Sequence, residues 1–284
     1  MDAISFIHAA WGTQDYFPGP QPVSIERVHF QLLKKNNYVV CEKSDGVRHL
    51  LISFMSGDKK MCVLVNRSFH VTVAPINLPK SAYQGTILDG ELVGGNSFIV
   101  HDAVIVSGTS VKNLNLYERL ESARKVVKGI IRVKTDSISV QLKTFYKLKE
   151  YDYKAIVPGT DGLIFTPVDE PVRTGTHETM FKWKPRDSNT IDFKCKYSTH
   201  QNKWGLYVSE KGRLIFESEL SLDKTPVWIT EDCIVECQYI CDEEPRWWKP
   251  LNLRSDKTHP NNRRTFYKTL VNIRENIKIT EFLF

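Results

Sequence analysis

The sequence predicts an α+β protein built from antiparallel sheets in two domains, and three observations lead to this prediction. The 284 residues are 41% hydrophobic and 25% charged, a globular composition in a chain long enough for two cores. Short β-rich runs alternate with only two segments that carry a helical repeat. A polar, proline-containing stretch at 184–190 separates two series of strands. We therefore predict domains at 1–190 and 191–284.

The strands of the first domain are predicted from β-branched and aromatic runs that lie between turn residues. Residues 56–60 (Ser-Gly-Asp-Lys-Lys) are typical of a tight turn and predict a hairpin between strands at 48–54 and 61–65. Residues 113–131 repeat apolar side chains at three- and four-residue steps, which predicts a helix. Further strands are predicted at 38–41, 86–93, 97–106, 138–146 and 162–166.

The second series of strands predicts a small barrel, for which an OB-fold is one candidate. A helix follows at 262–277, because Phe266, Leu270 and Ile273 recur on one stripe. The predicted strands of this domain are 191–197, 203–209, 213–218 and 233–241.

Charge and hydropathy limit the environments in which the chain can function. The balance of 39 Lys and Arg against 33 Asp and Glu leaves a formal charge of +6, which permits a polyanionic partner without requiring one. No run approaches the ~20 apolar residues of a membrane-spanning helix. The N-terminus lacks the basic start and apolar centre of a secretory signal. We expect an intracellular protein without membrane contact.

Six cysteines in so long a chain do not suggest a disulfide framework. Cys233, Cys237 and Cys241 share one face of a predicted strand. A zinc site is the alternative, but no His lies among them and no Cys-x-x-Cys is present. We interpret them as buried strand residues.

Several charged motifs point to chemistry. Lys43 lies in Glu-Lys-Ser-Asp-Gly-Val-Arg (42–48), which alone is explained by a surface turn. Further motifs follow in order, and together they alternate acids with Lys and Arg in a way that chance rarely produces. They are Leu-Asp-Gly-Glu-Leu-Val (88–93), Phe-Ile-Val-His-Asp-Ala (98–103), Thr-Asp-Gly-Leu-Ile-Phe (160–165), Phe-Lys-Trp-Lys-Pro (181–185) and Arg-Ser-Asp-Lys-Thr-His-Pro-Asn (254–261).

A lysine amine is protonated at neutral pH and becomes a nucleophile only when its neutral form is favoured by nearby cations or burial. Lys182 and Lys184 alternate around Trp183, so a strand would point both the same way. Two cations on one side suit a phosphate, whose transfer depends on charge neutralisation and positioning. Mg²⁺ or Mn²⁺ on carboxylate oxygens suits the same chemistry.

The ordered motifs resemble those of the covalent nucleotidyltransferase superfamily, which contains mRNA guanylyltransferases (mRNA capping enzymes) and ATP-dependent DNA and RNA ligases. The resemblance is closest to the guanylyltransferases, and residues 18–24 (Pro-Gly-Pro-Gln-Pro-Val-Ser) resemble the segment before the lysine motif of cellular capping enzymes. It implies a ligase-like, ATP-grasp-type nucleotidyltransferase domain followed by an OB-fold β-barrel with a C-terminal helix. It also implies that GMP passes from GTP, through a lysyl-GMP intermediate, to the 5′-diphosphate end of RNA to form the GpppN cap.

The resemblance assigns the nucleotide-binding residues by position. Lys43 is the catalytic nucleophile, Arg48 contacts the ribose or phosphate, and Arg67 is a second phosphate-facing residue. Phe98 stacks on guanine, with a core phenylalanine as the alternative. Lys143 reads the guanine O6, with a strand-surface lysine as the alternative.

The remaining assignments concern phosphates and metal. Glu91 binds the sugar or the metal ion (Mg²⁺ or Mn²⁺), and Asp161 is a metal ligand. Lys182 and Lys184 meet the α-phosphate. The β- and γ-phosphates meet a second-domain group that consists of Arg254, Asp256 and Lys257.

Two alternatives stay open from sequence alone. An ATP-dependent ligase shares the lysine chemistry, but ligases usually place Glu-Gly where this chain has Asp161-Gly162, and the Arg-x-Asp-Lys-x-x-x-Asn run at 254–261 is of the capping type. The other alternative is an inactive RNA-binding or scaffold subunit.

Partners and location are also expectations. No His-Cys-x5-Arg phosphatase motif is present. A separate RNA triphosphatase and a separate cap methyltransferase are therefore expected partners, and RNA polymerase is a further candidate. The expected location is the nucleus for a cellular host, or the viral factory or virion for a viral one.

Overall fold

The structure, a computed structural model, describes residues 2–132, 137–154, 160–255 and 257–284. The chain divides into two compact units, and each unit takes segments from distant parts of the sequence. The first unit contains the chain up to Val23, Gln31–Trp183 and Phe282–Phe284. The second contains Ser24–Phe30 and Lys184–Glu281.

The described residues form helices and strands as follows. The α-helices are α1 Ala3–Trp11, α2 Phe30–Lys35, α3 Leu116–Lys128 and α4 Arg263–Glu275. The strands are β1 Gln21–Ser24, β2 Tyr38–Ser44, β3 Val47–Ser56, β4 Lys59–Asn66, β5 Val71–Val73, β6 Thr86–Val93, β7 Ser97–Val106, β8 Thr109–Ser110, β9 Ser139–Leu142, β10 Tyr146–Lys147, β11 Thr160–Pro167, β12 Thr176–Trp183, β13 Thr190–Ser198, β14 Lys203–Glu210, β15 Arg213–Ser221, β16 Ile234–Ile240 and β17 Trp247–Leu253. None of the helices in this part of the chain is long and apolar enough to cross a membrane.

Two sheets make up the first unit. One has the order β5-β4-β3-β6-β7-β8, with β9 pairing in parallel on β7. The other has the order β1-β12-β11-β2-β10. The consecutive strands β2 and β3 belong to different sheets, so the residues between them carry the chain from one sheet to the other and do not close a hairpin. The hairpin predicted around residues 56–60 is confirmed, because Ser56 pairs with Lys59 in the β3–β4 ladder.

The central strand β3 is buried on both faces. Leu51 packs in a cluster that includes Ala123 of α3, whereas Leu50 and Ile52 pack in a cluster that includes Ile7 of α1. Successive side chains of a strand point to opposite faces. The continuous apolar run of β3 therefore follows from a helix on each side of its sheet.

Helix α1 was not expected from the sequence, although its end signals are present. Asp2 caps it by accepting a hydrogen bond from the Ser5 N–H at 2.9 Å, and the helix ends at Gly12 in the left-handed conformation. Its buried residues, including Ala3, Ile7 and Ala10, recur at three- and four-residue steps. They bury one stripe of a short helix against the β3 sheet.

Helix α3 is shorter than predicted and turned slightly about its axis. It begins after the Asn115 cap and ends at Lys128. Tyr117 belongs to the apolar repeat that predicts this helix, but it is 44% exposed. Arg119 is buried in its place because its guanidinium donates to Asp102 Oδ1 at 2.7 Å and Oδ2 at 3.0 Å. The single strand predicted at 138–146 is instead two short strands, β9 and β10.

The second unit is one antiparallel sheet, β15-β14-β13-β16-β17, with α4 packed on it. Its core includes Phe193, Leu206 and Trp248, and α4 adds Phe266 and Ile273. The apolar stripe predicted for the C-terminal helix therefore lies against this sheet. Strand β17 was not predicted.

All six cysteines are free thiols. Cys237 lies in the core of the second unit, and Cys233 and Cys241 lie just beyond the two ends of β16, partly buried. Among the described residues, no three metal-binding side chains come together. The interpretation as packed strand-associated cysteines agrees with this arrangement, although β16 itself carries only one of the three.

The Asp102–Arg119 pair makes a stability prediction. Arg119→Met leaves the Asp102 carboxylate buried without its cation, so we expect a loss of about 3 kcal/mol in the free energy of unfolding, measured by urea denaturation. The control is Arg124→Ala on the same helix, whose pair with Glu121 is exposed and should contribute less than about 0.5 kcal/mol. Equal losses in the two variants would contradict the prediction.

Candidate active site

A cavity of about 250 Å³ opens in the first unit, lined by strands of both of its sheets. It brings together residues that lie far apart in the sequence and that the motifs had singled out. These are Lys43, Arg48, Arg67, Glu91, Lys143 and Lys182.

Lys43 faces Asp161 across the β2–β11 ladder. Thr160 pairs with Ser44 and Leu163 pairs with Glu42, so two residues of β11 oppose the single residue Lys43. This is a β-bulge, and Gly162 has a φ of 118°, which L side chains rarely adopt. The Lys43 Nζ donates a hydrogen bond to Asp161 Oδ2 at 2.6 Å. The Asp-Gly of this motif therefore forms a bulge that aims a carboxylate at the lysine, and not a turn.

Arg48 lies on β3, on the other sheet, and is held by Asp89 of β6. Its Nε and Nη2 donate to the two Asp89 oxygens at 2.9 and 2.5 Å. Asp89 is only 1% exposed, and burial alone would raise its pKa. The Arg48 guanidinium and His101 outweigh that effect and hold the pKa of Asp89 below its ordinary value. The carboxylate thus stays ionised and fixes the arginine at the cavity wall.

Phe98 does not reach the cavity. Its side chain is fully buried in the core cluster beneath the β3 sheet. A ring in this position cannot present its face to a nucleobase without opening the core, so the assignment of Phe98 as the stacking residue is wrong and the core alternative is right. Strand alternation explains the result, because Phe98 and Val100 point inward while Ile99 and His101 line the cavity.

His101 is a cavity residue that the motif comparison missed. Asp89 pairs with Asp102 and Gly90 pairs with Val100, which leaves His101 in a bulge of β7. Its Nε2 lies 3.5 Å from Asp89 Oδ1. Burial lowers the pKa of His101, although the Asp89 charge opposes the shift. Counting alternate residues from Phe98 would have placed it on the cavity side.

Lys143 and Lys182, which were both predicted to contact the nucleotide, line the cavity. Lys143 Nζ donates to Ser44 Oγ at 2.5 Å, and Ser44 is the neighbour of Lys43 in the chain. Lys182 lies within β12 and lines the cavity. The strand expected to carry both Lys182 and Lys184 ends at Trp183, because the next residue but one is Pro185, which has no N–H to donate. Lys184 begins the second segment of the other unit.

In the second unit, Arg254 and Lys257 converge on Asp192. Arg254 Nη1 lies 3.1 Å from Asp192 Oδ1, and Lys257 Nζ donates to Asp192 Oδ2. Asp192 is 5% exposed, and its own N–H donates to Asn261 Oδ1 at 2.8 Å. Asp256 lies outside the described residues. Sequence reasoning missed Asp192, although a lone carboxylate between Ile191 and Phe193 in an apolar strand is a detectable signal.

The donor set of the cavity bears on the predicted metal ion. Among the residues that the structure describes, no three Asp, Glu, His or Cys side chains gather as a metal cage. Glu91 lines the cavity, and Asp161 contacts Lys43. Mg²⁺ keeps several waters and binds one or two carboxylates together with substrate phosphates. The residues therefore fit an ion held largely by a nucleotide, and not a metal bound by protein alone.

The lowered pKa of His101 predicts a pH dependence of stability. Because the folded state favours neutral His101, the contribution of this residue to the free energy of unfolding is complete above the ordinary pKa of 6.5. The contribution is lost as the pH falls below that value. We expect His101→Asn to reduce the drop in thermal unfolding midpoint between pH 7.5 and 5.5. The exposed His70→Asn is the control and should leave the drop unchanged. An unchanged drop in His101→Asn would contradict this.

Two family models match adjoining parts of the chain. A family model described as "mRNA capping enzyme, catalytic domain" matches residues 4–186, and one described as "mRNA capping enzyme, C-terminal domain" matches residues 188–283. Among similar proteins is the mRNA-capping enzyme subunit alpha of Schizosaccharomyces pombe, 29% identical over 95% of this chain and 79% of that protein. Another is the mRNA-capping enzyme of Danio rerio, 28% identical over 86% of this chain but only 45% of that protein.

A solved structure, "mycobacterial DNA ligase D complexed with ATP and MES", aligns with a TM-score of 0.47 and 14% identity over 84% of this chain and 96% of that chain. The two family models together span most of the sequence, and the lysine motif lies within the catalytic one. The chain therefore belongs to the mRNA capping enzyme family.

Proposed function

We propose that the chain is an mRNA guanylyltransferase that transfers GMP from GTP, through a lysyl-GMP intermediate on Lys43, to the 5′-diphosphate end of RNA. The observation that carries the proposal is the position of Lys43. Its amine lies at a cavity that also presents the cations of Arg48, Lys143 and Lys182. These cations would neutralise the negative charge of a purine nucleoside polyphosphate.

In the first half-reaction, the neutral Lys43 Nζ attacks the α-phosphorus of GTP. A nitrogen–phosphorus bond forms, the bond from the α-phosphorus to the oxygen bridging to the β-phosphate breaks, and pyrophosphate leaves with the bonding electron pair. Asp161 accepts the hydrogen bond of Nζ and lies within reach of the proton that the amine must lose. Lys182 on β12 and Lys184 would offset the negative charge on the α-phosphate oxygens.

In the second half-reaction, a terminal phosphate oxygen of the 5′-diphosphate RNA attacks the same phosphorus. The nitrogen–phosphorus bond breaks, the Lys43 amine regains a proton, and the GpppN linkage forms. Asp161 can return the proton that it took, because the second step reverses the bond change at Nζ. Arg48 at the cavity wall would hold the ribose or phosphate through both steps, and Arg67 would contact a second phosphate.

Guanine recognition is assigned to the Lys143 side of the cavity. Lys143 would donate to the guanine O6, which is an acceptor in guanine, whereas adenine carries an amino group at the same ring position. The Ser44 hydroxyl, 2.5 Å from Lys143 Nζ, orients the lysine. With Phe98 in the core, the base would lie against other side chains of the cavity wall.

Mg²⁺ or Mn²⁺ is the proposed cofactor, and Glu91 and Asp161 are the carboxylates that would hold it. When bound, the ion neutralises charge on phosphate oxygens. Glu91 would also contact the sugar. Because Asp161 already accepts from Lys43, it would serve the amine and the ion from one carboxylate.

We propose that the chain has domains at 1–190 and 191–284. In the second domain, we propose an OB-fold barrel built from the sheet β15-β14-β13-β16-β17. Five antiparallel strands in this order, with a helix packed on the sheet, support the proposal. Arg254, Asp256 and Lys257 would contact the β- and γ-phosphates of GTP. Pyrophosphate release would follow when those contacts open.

The wider capping reaction needs a 5′-diphosphate acceptor and later methylation, so we propose a separate RNA triphosphatase and a separate cap methyltransferase as partners. The fungal relatives are named as alpha subunits, which supports a partner polypeptide. RNA polymerase is a further proposed partner. The proposed location is the nucleus in a cellular host, or the viral factory or virion in a viral one.

Covalent labelling tests the proposed function. The protein is incubated with Mg²⁺ and either α-³²P-GTP or α-³²P-ATP, and the label on the polypeptide is measured after denaturation. We expect guanylylation at Lys43 that is lost in Lys43→Ala and kept in Lys34→Ala, an exposed lysine in the same unit. Label from ATP alone would indicate a ligase, and no label from either nucleotide would indicate an inactive scaffold.

Asp161→Asn separates two possible effects of the carboxylate. If Asp161 orients the amine and takes its proton, the rate of lysyl-GMP formation should fall at least tenfold. If it only stabilised the ammonium form, removing its charge would leave the rate equal or higher at neutral pH. Single-turnover labelling measures the rate, with Glu178→Gln on β12 as the exposed-carboxylate control.

A further inference from the structure

Arg48 is held by two separate parts of the first unit, Asp89 of β6 and the chain before β1. On one side, Asp89 binds it through two hydrogen bonds. On the other side, the chain before β1 encloses the guanidinium. Its Nη1 donates to the Pro20 carbonyl at 2.5 Å, and its carbon lies 5.5 Å from the centre of the Phe17 ring. Four N-terminal residues, Phe17–Pro20, therefore form the second wall of a socket for this side chain.

Gly19 is the position in this wall with no room for a side chain. A Cβ at Gly19 would lie 2.6 Å from Phe17 Cε1 and 2.8 Å from Arg48 Nη2. Real Cβ atoms essentially never approach other atoms so closely, so either the ring or the guanidinium must move. Gly19 is not among the glycines with positive φ, so its backbone does not itself demand glycine. Alanine is excluded because its Cβ would occupy space that Phe17 and Arg48 already fill.

The socket uses part of the hydrogen-bonding capacity of Arg48 and leaves the rest for a ligand. A guanidinium has five N–H donors, and three of them are directed to Asp89 and Pro20. The side chain is still 15% exposed and lines the cavity. A free arginine side chain loses rotamer entropy when it binds a ligand, so a socket that fixes it in advance lowers the cost of binding a phosphate or ribose oxygen.

We infer that Asp89 and the segment Phe17–Pro20 are positioning elements that fix Arg48 for the nucleotide. This inference rests on the proposed function, because it names what prepares one of the residues of that site. The Pro-Gly-Pro segment at residues 18–20 would then enclose the part of the Arg48 guanidinium that Asp89 does not contact. It also predicts that one methyl group at Gly19 acts on catalysis through Arg48 alone.

A double-mutant cycle tests this. The rate of lysyl-GMP formation is measured in single-turnover labelling for wild type, Gly19→Ala, Arg48→Ala and the double variant. We expect Gly19→Ala to slow the reaction about 10- to 100-fold, because a displaced positioning group has effects of this size. In the Arg48→Ala background the same methyl group should have no further effect. The loss in the double variant should therefore equal that of Arg48→Ala alone.

Two outcomes would overturn the inference. One is a Gly19→Ala rate equal to wild type, and the other is a double variant whose loss is the product of the two single losses. Gly12→Ala is the matched control, because a Cβ there contacts nothing within 4 Å while the left-handed backbone is strained. It should lower the thermal unfolding midpoint without slowing the reaction, which separates lost stability from a displaced arginine.

A second double-mutant cycle weakens the contact between Asp89 and Arg48. Asp89→Asn keeps the size of the side chain but weakens its hold on Arg48, and its effect should also vanish in the Arg48→Ala background. This second cycle tests the inference if Gly19→Ala does not fold. If wild type forms no covalent adduct, the proposed function fails, and both cycles are then measured by equilibrium binding of GTP. Additive effects on GTP affinity would overturn the inference independently.

Discussion

The crossing of the chain between two sheets, from β2 to β3, is the constraint on which the site depends. Lys43 lies near the end of β2 in one sheet and Arg48 near the start of β3 in the other, with four residues between them. Two cationic side chains so close in sequence are thereby placed on two different walls of one cavity. A hairpin at this point would have put both side chains on a single sheet and closed the space where a substrate must lie.

Paired carboxylates hold the cations of this protein in place. Asp161 accepts from Lys43, Asp89 binds Arg48, and Asp192 binds Arg254 and Lys257. Each pair keeps a flexible, charged side chain in a defined position before any ligand arrives, and such preorganisation is what charge-stabilising sites require. The acidic residues therefore explain much of the geometry of the basic residues, and one of them, Asp161, was assigned from the sequence only as a metal ligand.

At two of the Asp-Gly motifs the structure has a β-bulge and not a turn: Asp161-Gly162 forms one in β11, and Asp89-Gly90 of β6 lies opposite one in β7. In β11 the extra residue turns Asp161 toward the lysine, and in β7 His101 is the extra residue of a bulge and lies on the cavity side near Asp89. A bulge disrupts one rung of a ladder and redirects a side chain, which is why it suits a binding surface. From sequence alone, the same Asp-Gly pairs are indistinguishable from hairpin turns.

By itself, the sequence determined the order of the motifs, the residue types able to transfer a nucleotide, and most strands, because these depend on local pattern and chemistry. It also contained the end signals of α1, from Asp2 to Gly12, which pattern reasoning overlooked. Alternation along β7 places Phe98 and His101 on opposite faces, but only the tertiary structure decided that the face of Phe98 is core and that of His101 is cavity, and that Asp192 holds Arg254. Those outcomes depend on sheet crossings and long-range packing, where residues distant in the chain meet, and no local pattern records which face of a strand will be buried.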